Sequence, residues 1–198
     1  LGMVFDFSVK GEVQISMSDY IKKIIEDFPE EINTVSETPA AEHLFKVRDD
    51  GERKKLPEEQ AVQFHHSITQ LLFAAARVRR DCQTAVAFLC TCVKEPDEDD
   101  WGKLKRVLKY LNSTRHAKLT LRAENLSVIR WWVDASFAIH NDCRGQSGGM
   151  MSLGAGAIFS ASWKQKLNGR SSTDNELIGI DDFMGQILYT LYFMRTQG

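Results

Sequence analysis

The spacing of hydrophobic residues predicts that the first part of the chain is mainly helical. The opening "LGMVFDFSVKGEVQISM" contains two β-rich runs around Gly11 and predicts a hairpin. The run "YIKKIIEDF" has apolar residues at helical spacing and ends at Pro29. Residues 29–58 are polar and contain Pro and Gly, which indicates a connector. Three helices are expected after it, in "PEEQAVQFHHSITQLLFAAARV", "CQTAVAFLCTCV" and "DEDDWGKLKRVLKYLNST".

The last of these three helices has the clearest amphipathic pattern. Acidic residues stand at its start and basic residues later, as the helix dipole favours. A single apolar stripe at a spacing of about 3.6 residues should face the core. The stripe consists of Trp101, Leu104, Val107, Leu108 and Leu111.

The pattern changes to strands in the remaining part of the chain. "AKLTLRA" alternates as a strand, and "ENLS" resembles a boundary. Three further strands are predicted in "VIRWWVDASFAI", "GGMMSLGAGAIFSA" and "SWKQKL", before a final helix that begins near "SSTDNEL". The predicted fold class is therefore α+β.

The composition is typical of a globular protein and does not indicate a particular function. The 198 residues are 43% hydrophobic and 26% charged, as in ordinary globular proteins. No apolar run approaches the roughly 20 residues of a membrane helix. The N-terminus has neither an initiator Met nor the pattern of a signal peptide, so we expect a piece of a longer chain. With a net charge of −2, any site for nucleic acid must be local.

The four cysteines favour structural thiols over a metal site or disulfides. Cys82, Cys90, Cys92 and Cys143 form no Cys-x-x-Cys pair, and no His stands at zinc spacing. We interpret them as reduced thiols in a reducing compartment.

Two carboxylates stand in positions where they could bind a metal. Asp134 interrupts the apolar run "RWWVDASFAIH", and Glu176 lies near the start of the last helix. Mg²⁺ prefers oxygen ligands, and two-metal hydrolysis of phosphodiesters needs several converging carboxylates. Structural explanations are open for both residues. Asp134 could face solvent, and Glu176 could complete a capping box with Thr173.

A basic stretch near the middle of the chain could contact nucleic acid. Its candidate residues are Lys103, Lys105, Arg106, Lys109 and Arg115. Such a row could follow a phosphate backbone, or it could be a solvated helix face whose aliphatic stems flank the apolar stripe.

Several blocks, in this order, resemble a known family. "WGKLKRVLKYLNSTRHAKLTL", "WVDASFA", "DCRGQSGGMMSLG", "SWKQK" and "SSTDNELIG" are similar to the end of a copia-type retrotransposon reverse transcriptase running into its ribonuclease H domain. The resemblance covers nearly all of the chain. It implies that residues 1–124 are a helical, thumb- or connection-like region of the reverse transcriptase. It also implies that residues 125–198 are the first half of a ribonuclease H-like domain, with three antiparallel strands and a helix.

The resemblance also implies roles for residues and for partners. Asp134 and Glu176 match the family's first two ribonuclease H carboxylates and would hold Mg²⁺. The parent would copy RNA into DNA and hydrolyse RNA in RNA/DNA hybrids, in the cytoplasm (within a virus-like particle) or the nucleus. The expected partners are the hybrid, a primer-template duplex and the rest of the polyprotein, with no membrane and no secretion.

The polymerase's Tyr-x-Asp-Asp motif and the later ribonuclease H carboxylates do not occur in this chain. We therefore expect the chain alone to be inactive. An inactive genomic relic and a non-catalytic helical interaction domain are the alternatives.

Overall fold

The computed structural model describes residues 2–49 and 51–197, which form two compact units. The first, here called the helical unit, comprises Ile15–Leu119 together with the N-terminal residues up to Asp6. The second, the sheet unit, comprises Phe7–Gln14 and the chain from Thr120 onward.

The helical unit contains the helices predicted from periodicity. The structure places them at α1 (Ser18–Glu26), α2 (Glu58–Arg77), α3 (Gln83–Cys92) and α4 (Glu98–Ser113), with a 3₁₀ turn at Arg80–Cys82 before α3. The N-terminal strands are β1 (Val4–Asp6), which belongs to this unit, and β2 (Glu12–Ser16), which begins in the sheet unit and ends in the helical unit. The predictions of a short first helix and of three later helices are confirmed.

The start of helix α4 and its buried face both follow from its local sequence. The Asp97 carboxylate accepts a hydrogen bond from the Asp100 backbone N–H at 2.9 Å, and the Asp100 carboxylate accepts one from the Asp97 N–H at 3.2 Å. This reciprocal cap satisfies two backbone donors that would otherwise lack partners at the helix start. The predicted apolar stripe is buried along its whole length, at Trp101, Leu104, Val107, Leu108 and Leu111. Burying each Leu contributes about 1.5–3 kcal/mol.

The predicted connector is irregular but packs on α4. Within the described part of residues 29–57, the only regular pairing is an isolated bridge between Lys55 and Asp97. The Trp101 indole N–H donates to the Glu30 carboxylate at 2.6 Å. The Lys103 ammonium donates to the Lys46 carbonyl oxygen at 2.8 Å. Polar side chains of α4 thus hold a segment that has no helix or strand of its own.

The sheet unit is built from short antiparallel strands and one long helix. Its elements are β3 (Leu119–Ala123), β4 (Arg130–Ser136), β5 (Gln146–Ser152), β6 (Gly154–Ala155), β7 (Phe159–Lys164) and α5 (Ser172–Thr196). Strands β4, β5 and β7 form a sheet in that order, and the register places Asp134 opposite Gly148. Strand β6 pairs with β3.

Helix α5 covers one face of the β4–β5–β7 sheet. Phe183 is fully buried, and its ring stacks on Trp163 with centroids 4.5 Å apart. Gly149 and Gly179 make this approach possible. A Cβ added at Gly149 would lie 2.5 Å from the Phe183 ring, and one at Gly179 would lie 3.2 Å from Ala135 Cβ. Any side chain at Gly149 would therefore push the helix away.

The prediction of one long strand over residues 148–161 is wrong. The Ser152 hydroxyl accepts from the Gly154 N–H at 3.0 Å and donates to the Gly154 carbonyl at 2.8 Å, which ends β5 in a turn. Gly156 then adopts φ +75°. A side chain there would also collide with the Thr120 carbonyl oxygen, 2.0 Å from an added Cβ. The strand is consequently divided into β5, β6 and β7.

The predicted mixture of α and β structure is confirmed. The described residues contain five α-helices and two antiparallel sheets. None of the described helices is both long enough and apolar enough to span a bilayer. The ribonuclease H-like assignment and the division at residue 124 stay predictions.

Candidate functional site

Asp134 lies in the middle of β4, on the sheet face that α5 does not cover. A Cβ at Gly179 of α5 would lie 3.2 Å from Ala135 and 3.7 Å from Val133. Because side chains alternate along a strand, Asp134 points to the other face. It is exposed, and its Oδ1 accepts a hydrogen bond from the Ala135 N–H at 3.0 Å. A sequence rich in Trp and Val thus carries its carboxylate on the solvent-facing side of the strand.

Glu176 is not used to cap its helix. The cap of α5 is Ser171, whose side chain accepts a hydrogen bond from the Asp174 N–H at 3.1 Å. The alternative of a capping box between Thr173 and Glu176 is therefore wrong. Glu176 is half-buried, and its carboxylate has no hydrogen bond or ion pair among the described residues.

The direction of Glu176 follows from three neighbours on the same helix. Asn175 and Asp182 lie within about 20° of each other around α5, at about 100° per residue. The Asp182 carboxylate accepts hydrogen bonds from Ser147 and Trp163, on the β5 and β7 side, whereas the Asn175 side chain donates to the Ser136 carbonyl oxygen of β4 at 3.3 Å. Gly179 faces β4. Around the helix axis, Asn175, Gly179 and Glu176 follow one another in this order, with Glu176 about 60° past Gly179. Glu176 therefore projects toward the outer edge of β4.

The outer edge of β4 is the place where the two carboxylates could approach each other. In the strand order β4–β5–β7, β4 is the edge strand of this sheet within the described residues. Asp134 lies on one face of this edge strand, and Glu176 lies on the helix that covers the other face. The convergence of their carboxyl groups stays a prediction.

The side chains at this edge are of a type that binds divalent cations, but they are too few to supply all the ligands of a metal ion. Carboxylate oxygens are ligands that Mg²⁺ accepts. Among the described residues, no group of three or more His, Cys, Asp or Glu side chains could hold a metal ion. Asp134 and Glu176 are two carboxylates of the type that an oxygen-preferring ion accepts, fewer than its full set of ligands.

A buried polar network under α5 escaped the sequence analysis. The Ser147 hydroxyl donates to Asp182 Oδ2 at 2.6 Å, and the Trp163 indole N–H donates to the same oxygen at 3.2 Å. The Gln165 amide donates to Ser147 Oγ at 3.0 Å and to the Asn175 carbonyl oxygen at 2.9 Å. Ser147, Gln165 and Asn175 are at most 1% exposed. This network fixes how α5 is rotated on the sheet.

A second polar group lies on the Asp134 face of the sheet. His140 Nε2 and Gln146 Oε1 are 2.9 Å apart, and the Gln146 amide donates to the Ser162 hydroxyl at 2.8 Å. His140, which the sequence analysis did not single out, is 7% exposed. Burial lowers the pKa of its imidazole, and the positive charge of Lys164 acts in the same direction. The neutral imidazole is therefore the form that this structure favours.

The predicted basic stretch does not form one free cationic row. The Lys103 ammonium is buried, 3.5 Å from Asp100 and 4.7 Å from the centre of the Phe88 ring. Lys105 pairs with Glu30 at 3.0 Å. Arg115 Nε donates to His116 Nε2 at 3.2 Å. The two other members, Arg106 and Lys109, line a cavity described below.

The structure thus defines a protein with a helical unit and a sheet unit that carries a strand carboxylate and a helix carboxylate. The chain is 31% identical over 173 residues to a transposon Ty5-1 protein of Saccharomyces cerevisiae, covering 85% of this chain and 53% of that protein. It is 25% identical over 193 residues to the retrovirus-related Pol polyprotein from transposon TNT 1-94 of Nicotiana tabacum, covering 93% of this chain and 14% of the polyprotein. These names support a retrotransposon polyprotein.

A third relative carries a different name. The secreted RxLR effector protein 161 of Plasmopara viticola is 27% identical over 139 residues, covering 69% of this chain and 98% of the effector. The chain spans about half the length of the Ty5-1 relative and a smaller share of the Pol polyprotein. No family model matches the chain, and no solved structure matches it.

Proposed function

We propose that this chain is a segment of a copia-type retrotransposon Pol polyprotein. In this proposal residues 1–124 complete the reverse transcriptase region, and residues 125–198 begin a ribonuclease H-like domain. The names of two relatives support the polyprotein. The order of the sequence blocks supports the finer assignment, since the strand with Asp134, the following strands and the helix with Glu176 succeed one another as the resemblance implies.

One structural observation carries the proposed metal site. Glu176 is half-buried beside β4 without capping its helix or pairing with a described residue. A carboxylate that neither caps its helix nor pairs with a described residue is available as a ligand for a cation shared with Asp134 at the edge of β4.

In this role the two residues have different tasks. Asp134 would present its carboxylate from the rigid centre of a paired strand. Glu176 would present its own from a helix whose rotation the Ser147–Asp182 bond fixes. The bound Mg²⁺ would activate water for phosphodiester hydrolysis and stabilise the leaving oxygen. The substrate would be the RNA strand of a hybrid, recognised through phosphates and 2′-hydroxyls.

The site can be tested with Mn²⁺ as a paramagnetic probe of the full chain. We expect Mn²⁺ to broaden the NMR signals of residues 134 and 176 together, at low occupancy and in competition with Mg²⁺. Asp134→Asn or Glu176→Gln should abolish the broadening at both positions, because each residue supplies half of the protein ligands. Asp181→Asn is the matched control, since Asp181 is exposed and lies on the same helix.

Two results would contradict the proposal. One is broadening that survives Asp134→Asn. The other is a separation of more than about 8 Å between the two carboxyl groups, which exceeds what metals about 4 Å apart can bridge.

A further inference from the structure

The helical unit contains a cavity that neither the sequence motifs nor the proposed metal site explains. Its volume is about 750 Å³, within the range of pockets for small molecules. One wall is the connector segment 35–48, which contributes apolar side chains that include Pro39, Ala40 and Leu44. The other wall is α4 over residues 98–109. The connector wall also carries Lys46 and Arg48, so a ligand there would meet apolar and cationic side chains on one side and a charged helix face on the other.

The acidic side chains of the cavity wall are already neutralised. Asp99 accepts two hydrogen bonds from the Arg48 guanidinium, from Nε at 2.6 Å and from Nη2 at 2.9 Å. Glu98 pairs with Lys54 at 3.7 Å. Neither carboxylate is left to balance the other cations of the wall.

Three cations of the wall have no carboxylate within ion-pair distance among the described residues: Lys46, Arg106 and Lys109. The Lys109 charge acts on the Glu30 carboxylate only at longer range. Arg106 is the most informative of them. One branch of its guanidinium donates to the Thr38 hydroxyl at 2.9 Å, while its Nε is buried and has no hydrogen-bond partner. A buried donor without an acceptor is costly, and a bound oxyanion would relieve that cost.

We propose that this cavity binds a small organic phosphate, with the phosphate groups against Arg106 and Lys109 and the organic part against the connector wall. The guanidinium fork matches the oxygens of a phosphate and forms charge-assisted hydrogen bonds with it. Two or more negative charges would balance the cations of the wall. A concave site of this volume suits a molecule of nucleotide size better than a duplex, whose phosphates track along a surface.

Gly102 offers a matched pair of variants for the test. It lies on α4 in the cavity wall, and a Cβ added there would meet nothing within 4 Å. Gly102→Ala and Gly102→Glu both replace a helix-interior glycine, so both should fold at least as well as the parent chain. The second variant adds a longer side chain than the first and places a carboxylate among the cations.

Isothermal titration of the full chain with adenosine diphosphate, pyrophosphate and adenosine tests the proposal. We expect the diphosphate to bind more tightly than either pyrophosphate or adenosine. Arg106→Gln should weaken its binding at least about tenfold, as expected for the loss of charge-assisted hydrogen bonds. Gly102→Glu should weaken it several-fold, whereas Gly102→Ala and Lys105→Gln should leave it unchanged.

Three results would overturn the proposal. The first is that the diphosphate does not bind at millimolar concentration. The second is an equal loss of affinity in Lys105→Gln, which would indicate unspecific attraction by charge. The third is an RNA/DNA hybrid that binds through Arg106 and Lys109 when the diphosphate does not, which would assign these cations to a nucleic-acid surface. None of these results bears on Mn²⁺ binding at Asp134 and Glu176.

Discussion

Replacing Ser147 by Ala should loosen α5 from the sheet. The Ser147 side chain is fully buried between β5 and α5. Its hydroxyl donates to Asp182 at 2.6 Å and accepts from Gln165 at 3.0 Å. The substitution removes both hydrogen bonds without adding volume, and it leaves the aromatic contacts of Phe183 in place.

The expected loss in the free energy of opening of α5 depends on the hydrogen bonds that remain after the substitution. The hydrogen bond to the Asp182 carboxylate is charge-assisted, and such bonds contribute about 1.5–3 kcal/mol. Asp182 keeps its bond from Trp163, and Gln165 keeps its bond to the Asn175 carbonyl. Asp182 is also partly accessible to water, which lowers the cost. We therefore expect a loss of about 2 kcal/mol in the free energy of opening of α5.

Amide hydrogen exchange of α5, read peptide by peptide, measures this free energy directly. Exchange of α5 should be about thirtyfold faster in Ser147→Ala, the equivalent of about 2 kcal/mol. Ser136→Ala is the control, because Ser136 is an exposed strand residue of the same sheet, and its effect should stay within about 0.5 kcal/mol. Equal exchange in Ser147→Ala and the parent chain would refute a role of the network in holding α5.

Three further predictions concern pH, thiols and activity. Burial lowers the pKa of His140 below 6.5, so protonation favours the unfolded state. The free energy of unfolding should therefore fall as pH drops below about 6.5. Urea unfolding at pH 7.5 and 5.5 should show a smaller decline in His140→Gln than in the parent chain. Burial raises the pKa of the Cys82 thiol to about 12, so iodoacetamide at pH 8 should alkylate exposed Cys143 and spare Cys82, as peptide mass spectrometry would show. The chain alone should not cleave a labelled RNA/DNA hybrid with Mg²⁺, and cleavage that Asp134→Asn abolishes would contradict this.

The helical unit was the more predictable part of the fold, because its signals are local. The apolar stripe of α4 and its acidic start lie within one stretch of sequence, and each residue's burial follows from helical spacing alone. The same is true of the connector, where Pro39, Gly51 and Pro57 interrupt regular structure. No contact distant in sequence is needed to interpret these features.

The division of the predicted second strand could not be read from periodicity. It depends on the Ser152 turn and on the close approach of Gly156 to Thr120, which lies more than 30 residues earlier. The glycines in "SLGAGAIF" were a usable signal, since isolated glycines in a strand pattern often mark bends or close approaches. Which of these glycines bends the chain depends on contacts with the strand that contains Thr120.

The candidate site shows the same limit at the level of single side chains. Residue type and order singled out Asp134 and Glu176, but the face on which each lies depends on pairing register and on the rotation of α5. The register with β5 turns Asp134 away from the helix, and the bonds of Asp182 to Ser147 and Trp163 rotate Glu176 toward the outer edge of β4. Asp182 binds Ser147, 35 residues away, so no local pattern reveals its role. A metal shared by the two carboxylates, as proposed above, would therefore have to sit at the edge of β4 rather than over a face of the sheet, where only one of them could reach it.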